Sequence, residues 1–163
     1  MFDRFLWWKA HKVALRGSAP AGPRGAPELE PLLLRISSLA SRAPEDAELA
    51  LGEARVLISL KRNAEARKAL RRARRAGAGD PDVLCQVGEG WLRLQDADKA
   101  SALYTSAVQA DSEHLEARIG IASLLGRHGR KKRAREHWKA ALEIAPNCVL
   151  AQRTLEQLEE DAP

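Results

Sequence analysis

Histidines, cysteines and paired carboxylates are the side chains from which hydrolytic, redox and metal chemistry is usually built, and in these 163 residues they form no recognisable motif. His11, His114, His128 and His137 include no pair at the helical spacing that sets two imidazoles around one metal, and no nucleophile motif accompanies them. Cys85 and Cys148 lack any short metal spacing and read as free thiols of a reducing compartment. Glu159 and Glu160 fit a solvated helix end better than an acid–base pair. Gly120, Gly126 and Gly129 follow no strand, so no phosphate cradle is indicated. The expectation is a protein with no catalytic residue, no metal and no cofactor, whose chemistry is binding.

Binding chemistry is concentrated at the N-terminus and in two basic clusters. Residues 1–16 hold Phe2, Phe5, Trp7 and Trp8, four of the seven aromatics in the chain, with Leu6 among them and Arg4, Lys9, His11, Lys12 and Arg16 interspersed. Aromatics mixed with cations suit protein interfaces and lipid headgroup regions. Phe2, Leu6, Ala10 and Val13 share one helical face while Phe5, Trp8 and Leu15 lie on another, a two-sided pattern that fits a docking tether at least as well as a membrane-surface helix. Packing back on the chain's own helices is a third reading. Residues 17–27 are dense in Gly and Pro and read as a linker.

The excess of 27 Lys and Arg over 22 Asp and Glu is unevenly spread. Between Lys61 and Arg75 eight cations face Glu65 alone, and a second cluster joins Arg127, Arg130, Lys131, Lys132, Arg133 and Arg135. The C-terminus is acidic through Glu156, Glu159, Glu160 and Asp161. A solvated outer face accounts for such clusters, and an acidic protein, an anionic membrane or RNA are the partners they could recruit. RNA fits least, because stacking needs exposed aromatics.

The elements that must carry these residues repeat. Ala66, Leu70 and Ala73 are followed at intervals of 34 residues by Ala100, Tyr104 and Ala107, then by Ala134, Trp138 and Ala141. In step run Ala54 and Leu57, Gly88 and Trp91, Ala122 and Leu125. Small side chains opposite large ones let two helices approach closely, and each pair must stack on the next to bury enough apolar surface. In period and columns the chain resembles the tetratricopeptide repeat, a helix–turn–helix unit of ~34 residues. The resemblance implies an all-α, right-handed α-solenoid of three helix pairs: residues 47–80, 81–114 and 115–148, with Pro146 as the closing proline of the third. Residues 28–46, with Leu32, Leu33, Ile36, Leu39 and Ala40 at helical spacing, read as an N-terminal half-repeat. Residues 149–160 read as a capping helix, with Leu150, Ala151, Leu155 and Leu158 on its apolar stripe. Glu53 and Arg118 depart from the pattern where large apolar residues are usual, as do Ala78 and Ser112 in place of proline.

In the resembled family partners lie in a concave groove lined by the first helix of each pair. Carried onto this sequence, the groove presents Glu48, Leu51, Arg55 and Ile58, then Asp82, Cys85, Gln86, Glu89 and Arg93, then Glu116, Ile119, Ser123 and Arg127. Some members clamp a peptide's terminal carboxylate with Lys and Asn, but Leu51, Arg55, Gln86, Glu116 and Gly120 occupy those positions here, so a segment with apolar anchors is the better expected partner. No apolar run reaches the ~20 residues of a membrane span, and Lys9, His11 and Lys12 interrupt any signal-peptide core. The chain therefore reads as a cytoplasmic, non-catalytic adaptor or scaffold for another protein, tethered through its N-terminal segment. A peripheral membrane protein anchored by residues 1–16 and an RNA-binding repeat protein remain the alternatives.

Overall fold

The computed structural model describes residues 26–160, and within them every regular element is a helix. In chain order these are α1 (Ala26–Arg42), α2 (Ala47–Ser59), α3 (Asn63–Ala76), α4 (Pro81–Arg93), α5 (Ala97–Ala110), α6 (Leu115–Arg127), α7 (Lys131–Ile144) and α8 (Val149–Glu160). Residues 1–16, with the aromatic segment, and most of the expected linker lie outside the described residues. Helix α1 nevertheless takes in Ala26 and Pro27, because proline is tolerated in a helix's first turn, where its missing N–H has no partner to lose. The chain divides into two compact units, residues 1–78 with α1 to α3 and residues 79–163 with α4 to α8.

Helix ends follow the same 34-residue period as the core. Asp46, Asp80 and His114 precede the first helix of successive pairs and cap it. Asp46 Oδ1 accepts from the Leu49 amide at 3.0 Å, Asp80 Oδ1 from Asp82 at 2.9 Å, and His114 Nδ1 from Ala117 at 3.2 Å. Such a bond satisfies one of the amides that a helix start leaves orphaned. Within each pair the turn passes through a left-handed residue, Lys61, Gln95 and Gly129, with φ of 60°, 62° and 72°. Only the third is a glycine, the residue that adopts this conformation without strain.

In the first unit α2 packs on α1 and α3. Ala50, Ala54 and Leu57 are buried with Ala66, Leu70 and Ala73, and Ile36, standing 34 residues before Leu70, is buried in the same column. Glu53, the departure from the apolar pattern, is half-buried and fully engaged. It accepts from Ser37 Oγ of α1 at 2.6 Å and pairs with Arg72 of α3. A partly buried carboxylate is tolerable only with such partners.

In the second unit the large residues of the columns fill the space between helices. Tyr104 is 4% exposed and lies between two glycines: a Cβ on Gly88 would approach its Cε1 to 3.0 Å, and one on Gly120 would approach its Cε2 to 2.8 Å. Trp138, 2% exposed, packs with Ala122, Ala134, Ala141, Ala151 and Leu155, and Leu125 packs against that cluster. Trp91 is covered by Lys99, whose ammonium sits 4.5 Å from the ring centroid. The other departure, Arg118, donates from Nε to the Ser112 carbonyl at 2.8 Å. On α8 the buried stripe is Ala151 and Leu155, with Leu158 half-buried, whereas Leu150, expected on that stripe, is 54% exposed. The positions at 151, 155 and 158 fall on one helical face, and 150 is turned ~100° away from 151.

Truncating Trp138→Ala should cost about 3–5 kcal/mol by cavity formation. Gly120→Ala should cost about 1–3 kcal/mol despite the better helix propensity of alanine, because a buried ring cannot yield to a new methyl. Gly126→Ala, with nothing within 4 Å of the added Cβ, is the control and should be neutral or stabilising. Urea denaturation checks all three, and a harmless Gly120→Ala would rule out the ring placement.

Candidate functional site

The first helix of each pair carries the expected binding residues, and their exposure sorts them. In the first unit Glu48 is exposed, Arg55 and Ile58 are half-buried, and Leu51 is only 1% exposed. Leu51 is therefore core rather than an anchor for a partner, since a side chain enclosed by its own fold has no area left to offer. In the second unit α4 and α6 touch directly and bring their residues onto neighbouring faces. Asp82, Glu89, Arg93, Glu116 and Arg127 are exposed, while Cys85, Gln86, Ile119 and Ser123 are half-buried. Ile119 packs in part against the Trp138 cluster, leaving the remainder of its side chain to solvent.

The electrostatics of this second face centre on Cys85. Burial pushes its thiol up to about 12, and Glu116, Glu89 and Asp82 add to the rise because a thiolate beside three carboxylates is repelled. Tyr104 is also pushed up, by burial first and then by Cys85 and Glu89. Such a thiol is a poor nucleophile. The carboxylates are the active feature: Asp82 and Glu116 stand with Glu48 in one column at intervals of 34 residues, so the first helices present acid repeatedly. His114, 7% exposed, is oriented by both ring nitrogens: Nδ1 accepts from the Ala117 amide, which leaves Nε2 to donate to Asp82 at 3.1 Å. Glu89 pairs with Arg93 at 3.1 Å.

Sequence reasoning left His114 without a role, although its place in the Asp46–Asp80 column marks it as a cap. Gly120 supplies no clamp residue, and the space its side chain would take is filled by Tyr104. No group of three potential ligands able to hold a metal occurs among the described residues. The second basic cluster is exposed except at Arg135, which is half-buried and donates to the Leu158 carbonyl at 2.8 Å, tying α7 to the last turn of α8. His137 of α7 is held below its ordinary value by burial and by Arg118 and Arg133.

Two family models, both described as tetratricopeptide repeat, match residues 35–84 and 92–147. The chain belongs to the tetratricopeptide repeat family. Among solved structures it is similar to MamA, with a TM-score of 0.70 at 12% identity over 85% of this chain and 81% of that one. YrrB, a repeat protein with an unusual peptide-binding site, has a TM-score of 0.64 at 21% identity over 85% of this chain and 71% of that one. The first repeat domain of Spaghetti (RPAP3), bound to the HSP90 peptide SRMEEVD, has a TM-score of 0.62 at 16% identity over 70% of this chain and 93% of that one. At these identities the likeness is one of fold. No curated protein matches the chain. As an all-α repeat protein of this family it has no described helix long and apolar enough to cross a membrane.

The Cys85 environment makes a pH prediction. Raised above its ordinary 9.0, the thiol stays protonated longer in the folded chain than in the unfolded one. Its contribution to stability is thus complete below pH 9 and is lost progressively as pH climbs toward 12. In a Cys148→Ser background, iodoacetamide should label Cys85 at least about tenfold more slowly in the folded chain than in urea. Glu89→Gln with Glu116→Gln should accelerate it, and equal rates in all states would contradict the assigned surroundings.

Proposed function

We propose that the protein is a non-catalytic, cytoplasmic adaptor that holds a segment of another protein against the first-helix faces of its repeats. The observation that supports this most is the convergence of Asp82, Glu89 and Glu116 around Cys85, beside the partly open Ile119. Exposed carboxylates surrounding a neutral, half-buried floor can select a partner by charge and accept an apolar side chain. YrrB and the RPAP3 domain take peptides, which favours a peptide here as well. An acidic peptide such as SRMEEVD is a poor fit to this face, because like charges would meet. A segment bearing Lys or Arg with an apolar anchor is the better match.

The second element of the proposal is the aromatic segment, residues 1–16, as a docking tether. Its support is compositional: Phe2, Phe5, Leu6, Trp7 and Trp8 precede a Gly- and Pro-rich stretch and stand outside the repeat columns.

Proteins captured by the full chain and identified by mass spectrometry should be lost with Glu89→Lys plus Glu116→Lys, and with Ile119→Glu, while helicity is retained. If both variants keep the same partners, the first-helix face is not the site. A chain beginning at Arg24, which preserves all of α1, should keep its thermal transition within a few degrees yet lose partner recruitment, as should Trp7→Ala with Trp8→Ala. Unfolding of the shortened chain would make the segment part of the fold. Salt-sensitive binding of the isolated segment to phosphatidylserine vesicles would instead support the membrane reading.

A further inference from the structure

The first unit contains a feature that the first-helix faces do not use. Helices α1 and α3 flank α2 and leave between them a cleft of about 610 Å³, walled by Leu33, Leu34 and Leu57. Its origin lies in one column. Val87 and Ile121 are buried apolar residues at intervals of 34 from position 53, where this chain has Glu53 instead. A carboxylate there draws Ser37 and Arg72 into a polar floor, and the space is not closed by packing.

Charge in the cleft is sorted rather than mixed. Glu53 is taken by Arg72, and Glu30 and Glu65 are both taken by Arg62, at 3.4 and 2.7 Å. Each of the three carboxylates lining the cleft is thus paired, but with only two arginines the floor keeps one negative charge. Lys68, Arg71 and Arg75 remain on the α3 rim, all exposed, with no ion pair to a carboxylate among the described residues. They recur at spacings of three and four, one face of a helix. Arg71 Nε donates to the Arg67 carbonyl at 3.1 Å, which braces the guanidinium against the helix. Leu34, 71% exposed, is the most open large apolar side chain of the described residues and also lines this cleft.

We infer that the cleft between α1 and α3 is a second binding site, for a partner-protein segment that alternates carboxylates with an apolar side chain. The carboxylates would meet Lys68, Arg71 and Arg75, and the apolar side chain would cover Leu34 above Leu33 and Leu57. Lys68, Arg71 and Arg75 on the rim outweigh the one negative charge left in the floor, and they stand where steering and register are set. Single-stranded nucleic acid fits less well, because no aromatic lines the cleft to stack a base. A flat bilayer fits less well too, since the leucine wall is concave.

The test uses the full chain and a fluorescein-labelled probe peptide in which Leu recurs among Glu at helical spacing. Fluorescence polarisation should show saturable binding, weakened roughly tenfold or more by Lys68→Glu with Arg71→Glu, and likewise by Leu34→Asp. All three positions are exposed, and circular dichroism with the milder Lys68→Gln and Arg71→Gln pair separates lost binding from lost fold. The peptide with Lys for Glu, and the one with Ser for Leu, should bind more weakly. Ile119→Glu should leave the probe's affinity unchanged, which keeps this site independent of the first-helix reading. The inference is overturned if the probe does not bind, if the cleft variants bind it as the parent does, or if Ile119→Glu removes binding. It is also overturned if oligouridylate or phosphatidylserine vesicles bind more tightly than the probe and lose affinity with the same variants.

Discussion

Tyr104 can occupy the interior of the second unit only because positions 88 and 120 carry no side chain, and this small-against-large contact recurs through the chain. Where Ala66 and Ala73 flank Leu70, or Ala134 and Ala141 flank Trp138, the absence of bulk on one helix sets how near the next can come. The distance between helices decides which residues are left outside. Repetition of that contact every 34 residues fixes the rotation of each helix about its axis, and hence the exposed faces on which binding must take place.

Polar residues that break the apolar columns act on top of this frame. Glu53 and Arg118 each replace a large apolar residue, and each finds partners: Ser37 and Arg72 for the first, the Ser112 carbonyl for the second. Neither leaves a buried charge alone, so the repeat survives both. Their consequences differ because their neighbours do. Around Glu53 three carboxylates share two arginines and line a cleft, whereas Arg118 reaches a backbone oxygen.

The repeat frame was legible in the sequence because the columns at 66, 70 and 73 and their successors constrain residue type strictly, and all nine of those residues are buried. Exposure along the first helices was less legible. Leu51, Cys85 and Ile119 share one column, yet Leu51 is enclosed and the other two are half-buried. A period describes the average neighbour and cannot register that the first pair packs on α1, an incomplete repeat with its own side chains. Leu150 fails for a related reason: α8 packs on α7 through the face that holds Ala151 and Leu155, so the stripe that is covered is narrower than the stripe that is apolar. His114 was passed over because histidine suggests chemistry before it suggests a cap, although its column holds aspartate in the two preceding repeats.

The acidic column and the basic rim explain why a modest net charge of +5 is a misleading description of the molecule. Glu48, Asp82 and Glu116 form one acidic column on first helices, and Lys68, Arg71 and Arg75 form one basic rim on a second helix. Exposed charges are screened beyond about 8–10 Å at ordinary salt, and at that range a partner senses the local column rather than the total. Core alanines, tryptophan and tyrosine constrain none of these outward positions. Charge there can vary without cost to the fold, which is how a repeat whose interior is nearly uniform can present different chemistry on each of its faces.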